Sequence, residues 1–199
     1  MRSFDRRAVA DPAQIRVLSS AVRQEIVDTL AALGGEAAVG DLAGQLGRPA
    51  DGLYYHLRLL ARHGLIEEMD MQGRKERRYR LAGQGSAPLR LAYRNGEDNN
   101  LPALAGFAQS LLQVAGRDFQ QALDEDEAAL EGPRRELWTA RNKGWVSGED
   151  LEEINRLIER INELVSQPSS PLRRRLMTFS FVLAPVQPRP KRREAASGR

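Results

Sequence analysis

Four cations fall within five positions at Arg74, Lys75, Arg77 and Arg78, beside a Gln72-Gly73 pair that suits a tight turn. Guanidinium and ammonium groups at a loop tip are suited to phosphate oxygens or to a narrow minor groove. The bland alternative is a solvated charge run. Twenty residues upstream, Asp51, Gly52, Tyr54, Tyr55, Arg58 and Arg62 accompany a buried stripe of Leu53, Leu57 and Leu60. At about 100° per residue, Tyr54, Tyr55 and Arg58 have solvent-facing directions. The tyrosines suit thymine methyls or phosphates, Arg58 and Arg62 suit phosphate, and Gly52 allows close approach of the helix start. One tyrosine packing against the following hairpin is the competing reading.

The elements that must hold these groups are legible in spacing. Val39, Leu42, Ala43 and Leu46 recur at helical intervals, and Gly47 stops that helix. Pro49 suits the start of a second helix and Asp51 its first turn, where negative charge meets the helix dipole. Gly64 stops it, Leu65 and Ile66 begin a strand, and a second strand returns through Tyr79 to Leu81. The pattern is helix, tight turn, helix, hairpin.

That order resembles the ArsR-like winged-helix transcription regulators. The residues carrying the likeness are IRVLSSAVRQEIVDTLAAL, DLAGQLG, YYHLRLLARHGLIEE and GRKERRYRLA, with the run from His56 to Ile66 the most recognisable. It covers about residues 12–83. The resemblance implies a winged helix-turn-helix with residues 50–63 in the major groove and a basic wing, 71–78, on backbone or minor groove. It implies that Asp51 to Tyr55 face base edges. One departure is Pro49, where the family often has Ser or Thr making a backbone phosphate contact.

Other chemistry finds little support. The chain has no cysteine, which removes disulfides, thiolate metal sites and cysteine nucleophiles. His56 and His63 stand seven apart, roughly 10.5 Å along a helix, too far to share one ion. His56 matches the family's His-Leu position and reads as a semi-buried packing residue. No paired carboxylates, nucleophile–base set or phosphate loop points to catalysis, so the expectation is no enzyme, no metal and no cofactor. No apolar run approaches a membrane span, and the first residues lack an apolar signal region, so we expect a cytoplasmic, nucleoid-associated bacterial protein with no membrane contact. Charge is uneven: residues 1–83 carry a net +2, residues 84–170 a net −6 and residues 171–199 a net +7. The middle would repel nucleic acid and the two ends would attract it.

In chain order we expect a frayed N-terminus at 1–10, the winged helix at 11–83 and a connector at 84–100 with room for one strand. A C-terminal α/β region at 101–184 and a basic disordered tail at 185–199 follow. The winged helix opens with a helix started by Asp11-Pro12 and interrupted at Ser19-Ser20. The C-terminal region has a helix from Leu101 to Leu123, and a second one capped by Ser147 with Asp150 three residues on. Its residues Leu151, Ile154, Ile158, Ile161 and Val165 repeat at 3, 4, 3, 4, a heptad seam proposed for dimerisation. Leu137 to Val146 and Met177 to Leu183 read as strands. Trp138, Trp145, Phe107, Phe119, Phe179 and Phe181 form an aromatic set, either ordinary core or the lining of a ligand pocket. The fold class expected is mainly α with small β-hairpins. The function expected is a homodimeric, sequence-specific regulator on double-stranded DNA, open to a small-molecule effector. The alternative is a winged helix used for protein–protein assembly.

Overall fold

A buried leucine face on every short helix, and a glycine or serine pair between helices, set the architecture of the N-terminal two thirds. The computed structural model describes residues 8–70, 73, 76–83, 89–125, 128–167 and 169–187. It is mainly α with small sheets. Helix α1 spans Pro12–Leu18, and the Asp11 carboxylate accepts the Ala13 N–H at 2.8 Å. The Ser19 hydroxyl donates to the Ile15 carbonyl at 3.0 Å, a local bond that competes with continuing the helix. Ser20 restarts the chain as α2, Ala21–Ala32. Strand β2 is Glu36–Ala38, and α3 follows at Val39–Leu46. The Asp41 carboxylate accepts the Ala38 N–H at 3.1 Å, satisfying a donor at the helix start. Gly47 takes the left-handed conformation, φ 59°, which lets the Arg48 N–H reach back to the Ala43 carbonyl at 3.0 Å. Helix α4 is Ala50–Arg62, flanked by Pro49.

The hairpin is β3, Ile66–Glu68, with β4, Arg78–Leu81. With β2 they make a three-stranded antiparallel sheet in the order β2-β4-β3. Its register pairs Ile66 with Leu81 and Glu67 with Arg80. One core unites these elements: Ile15, Ile26, Leu30, Leu42, Leu53, Leu57, Leu60, Ile66 and Tyr79 are at most 1% exposed. The first helices, the helix-turn-helix and the hairpin thus stand where the spacing predicts. Helix α5, Leu101–Leu123, packs on α1 and α2 through Ala103, Leu104, Ser110 and Val114.

Three sequence expectations are corrected. Residues 8–10 do not all fray: β1, Ala8–Val9, pairs in parallel with β5, Arg90–Leu91. A two-residue strand has no periodicity to read, so its partner alone defines it. Asn100 holds this junction. Fully buried, it accepts the Arg94 N–H at 3.0 Å and donates to the carbonyls of Ala10 and Ala92, both at 2.8 Å. One amide side chain satisfies three backbone groups that would otherwise be buried unpaired. Second, Leu137–Val146 and Met177–Leu183 form no strand. They lack ladder partners among the described residues, and alternation marks an apolar face without supplying a neighbour. The α/β expectation for 101–184 falls with them. Third, the aromatic set is divided. Phe107 packs on the N-terminal core, whereas Trp138, Trp145, Phe179 and Phe181 are exposed. Helix α6, Gly148–Val165, carries the expected Ser147–Asp150 capping box, yet buries no residue. Of the tail, residues 188–199 lie outside the described residues, and 185–187 are exposed.

Candidate nucleic-acid interface

Helix α4 divides cleanly. Leu53, Leu57 and Leu60 face the core, and Asp51, Gly52, Tyr55, Arg58 and Arg62 are exposed. The two tyrosines separate. Tyr54 is half-buried against the core, and Tyr55 is 63% exposed. Tyr54 therefore lacks the free outward direction expected of it, because the apolar stripe is wider than its three leucines. The Arg58 guanidinium bonds the Tyr54 carbonyl one turn back at 3.3 Å, which lays its stem along the helix. Asp51, Gly52, Tyr55, Arg58 and Arg62 form one exposed strip along α4.

Tyr55 also touches the ring of His56 edge-on, with centroids 5.3 Å apart at 76°. His56 is half-buried, as expected of a packing residue, and its Nδ1 has no hydrogen-bond partner among the described residues. Burial lowers its pKa, and the positive charges of Arg23 and Arg48 lower it further. Both effects favour the neutral ring. Arg23, on α2, and Arg48, in the turn before α4, are cations beside the exposed strip that no local pattern reveals. They come from 33 and 8 residues before His56, so only folding brings them together. Arg48 is not free: it pairs with Glu25 at 3.5 Å, and the other oxygen of Glu25 meets Arg117 of α5 at 3.4 Å.

On the wing, Gly73 adopts φ 79°, in keeping with a turn there. Arg74 and Lys75 lie outside the described residues. Arg77 and Arg78 are described, and both are ion-paired: Arg77 with Glu68 at 3.0 Å, Arg78 with Glu36 at 3.4 Å. Arg80 makes a two-nitrogen contact with Glu67, at 2.6 and 2.8 Å. The Tyr79 hydroxyl donates to Glu68 at 3.4 Å from a buried ring. The observed register sets Glu67 opposite Arg80. A turn centred on Gln72-Gly73 would instead set Glu67 opposite Arg78, so the sequence reading does not locate this pair.

Glu76 ties the base of the wing to α3. Its carboxylate accepts the Gly40 N–H at 2.5 Å. A Cβ at residue 40 would meet that carboxylate at 2.8 Å, so a larger residue there would displace the end of the Glu76 side chain.

Two further features bear on partners. Between α1 and α5 lies an open cleft of about 290 Å³, lined by Arg16, Ser19, Asn99 and Pro102 among others. Among the described residues, no group of three or more His, Asp or Glu is placed to hold a metal ion, and no helix is long and apolar enough to cross a membrane.

Comparison with known proteins meets this geometry at its centre. No curated protein matches the chain. An organohalide-sensing transcriptional regulator, solved in its 2,4-dichlorophenol-bound form, is similar at 15% identity over 87% of this chain and 82% of that one. Its TM-score is 0.27, too low to add to the fold described above. Residues 18–68 match a family described as a helix-turn-helix domain, a span that runs from the end of α1 to the end of β3.

Proposed function

We propose that this chain is a sequence-specific, DNA-binding transcription regulator of the ArsR-like kind, acting as a homodimer. The observation that carries the reading is the exposed strip Asp51, Gly52, Tyr55, Arg58 and Arg62 on the second helix of a helix-turn-helix. A helix of 13 residues with one side free fits a major groove about 12 Å wide. Tyr55 is the side chain placed to meet base edges, and Arg58 and Arg62 to meet phosphates. The wing segment 71–78, whose sequence includes Arg74 and Lys75, adds backbone contact. One such unit reads few base pairs, so specificity calls for two copies on a two-fold operator. The seam Leu151, Ile154, Ile158, Ile161 and Val165 on α6 is the proposed dimer contact. A small-molecule effector has one place suggested for it, the α1–α5 cleft, at the small end of ligand pockets.

Selection of bound fragments from the source genome tests the reading, followed by titration of the enriched site at several salt concentrations. Enrichment of a palindromic site, bound with steep salt dependence, is the expected result. Tyr55→Ala should relax discrimination between sites, while Arg62→Ala should weaken all sites alike. Absence of any enriched sequence would remove the reading.

A second reading keeps the winged helix for protein–protein assembly. It is favoured by one observation: Arg77, Arg78 and Arg80 all have carboxylate partners within the chain. Weak, sequence-independent DNA binding with little salt dependence would select it.

A further inference from the structure

Two arms without helix or strand flank α6, residues 128–147 before it and 171–187 after it. They are rich in large apolar side chains that the chain itself leaves uncovered. Trp145 is 99% exposed, Leu172 97% and Trp138 71%. Phe179 and Phe181 stack on each other at 5.7 Å and cover little else. Sixteen large apolar residues between Leu130 and Val186 are exposed. At roughly 80 Å² each, a fraction of what such side chains bury in cores, they present on the order of 1,200 Å² of apolar surface. Summed over the arms and α6, this exceeds the roughly 800 Å² per partner that a standard interface buries.

Charge indicates what covers it. The arm 128–147 carries four cations against two carboxylates, and 171–187 carries three arginines and no carboxylate. Helix α6 between them carries six carboxylates against two arginines. Opposite charge and matching apolar content would suit the arms to the helix. Yet among the described residues no ion pair joins an arm to α6 of the same chain. The α6 pairs, Glu153 with Arg156 and Arg160 with Glu163, are internal, and Arg175 reaches Glu125 and Glu136 instead. A second copy related by a two-fold axis supplies both needs at once, since each chain then offers arms to the other's helix.

We propose that residues 128–187 form an exchanged arm, in which α6 pairs along its seam with the α6 of a second copy and the two basic, aromatic arms lie across that partner helix. This rests on the homodimer reading and adds the identity of the covering surface.

The chain's two tryptophans are Trp138 and Trp145, both on the first arm, so intrinsic fluorescence reports on it alone. The full-length protein is diluted through its dissociation range while sedimentation follows mass and acrylamide quenching follows indole exposure. Dimer formation should shift emission to shorter wavelength and reduce quenching at least threefold, in step with mass. A dimer whose tryptophans stay as quenchable as free indole overturns the exchanged arm and leaves the homodimer standing. Blue-shifted emission in a species that remains monomeric also overturns it, because the arm then folds on its own chain. A monomer with quenchable tryptophans at all concentrations removes both. A charge swap supplies the second test. Arg173→Glu with Arg174→Glu should weaken the dimer about tenfold or more, as expected for paired charges of opposite sign. Mixing that variant with a chain carrying Glu152→Arg and Glu153→Arg should restore dimers, now mixed ones. Failure of the mixture, with both variants retaining wild-type helicity, overturns the placement of the second arm on the partner's α6.

Discussion

Helices α4 and α6 are both amphipathic, yet they end in opposite circumstances. Helix α4 places Leu53, Leu57 and Leu60 at no more than 1% exposure, in a core shared with α1, α2, α3 and the hairpin. Helix α6 is the better capped of the two, its Ser147 and Asp150 bonded reciprocally, and Asp150 is held below the usual carboxylate range by the Ser147 donors. It nevertheless fully buries no side chain, and its seam residues Ile154, Ile158 and Ile161 are only half-covered. Local propensity and capping therefore do not decide whether a helix has a home. The number of apolar neighbours brought within reach by short connections does, and α4 has four such elements, while the arms beside α6 are tied back among the described residues through Arg175 to Glu125 and Glu136.

The contrast can be broken most forcefully in the core. Leu57→Ala should cost about 2–5 kcal/mol in denaturant unfolding, the range for a buried leucine. Ile158→Ala, measured on monomer at low concentration, should cost under about 0.5 kcal/mol, as for a surface site. Equal costs would mean that α6 packs within its own chain. Ile158→Glu together with Ile161→Glu should abolish dimers while keeping the winged helix folded. Binding to a palindromic site should then fall by about 10²-fold, through lost effective concentration. Sedimentation of a still-dimeric double variant would move the interface off α6. Asn100→Ala leaves an N–H and two carbonyls without their partner, and should cost about 2 kcal/mol or more. Calorimetry showing no change would mean that water replaces the amide.

The smallest effect concerns Asp28 on α2. Its carboxyl is pushed up to about 6, first by burial and then by the like charges of Asp118 and Glu25. The folded chain thus binds this proton more tightly than the unfolded one, where the value is about 3.9. Stability from this group is complete below pH 4 and is lost as pH rises through 6. Asp28→Asn should leave Tm unchanged at pH 4 and raise it at pH 8. The Asp28 side chain keeps contact with solvent despite the protein around it, and that screens the effect to about 1–2 °C. A fall in Tm at pH 8 would contradict the assignment of repulsion.

The two regions were also unequally legible. In the helix-turn-helix and its hairpin each residue type had a local meaning. Pro12 and Asp11 start a helix, Gly47 and Gly64 end one, and three leucines at helical spacing face inward. Those signals act within a few residues, so sequence order carries them. The C-terminal spacing was equally clear, and both helices stand where it put them. What spacing lacked was the partner: Met177 to Leu183 alternates like a strand, yet no neighbouring strand follows from alternation. At the candidate interface, Tyr55, Arg58 and Arg62 were readable from α4 alone. The contact of Glu76 with Gly40, the Glu25 link between Arg48 and Arg117, and the three-way role of Asn100 join residues distant in sequence. They depend on the tertiary fold, and no local pattern announces them.

The Asn100 junction has a consequence for the order in which the chain becomes structured. Its bond to the Ala10 carbonyl closes a loop of 90 residues, and β1 meets β5 across a similar span. Closing such a loop costs about 4 kcal/mol in chain entropy beyond the constant term. The β3–β4 hairpin, by contrast, closes between residues 66 and 81. Local closures precede distant ones when each must be compensated by the contacts it makes. The strand Ala8–Val9, synthesised before every other described element, is thus among the last to find its place. The loop-closure cost leads us to expect that it docks only once α5 and Asn100 meet an already folded helix-turn-helix and hairpin.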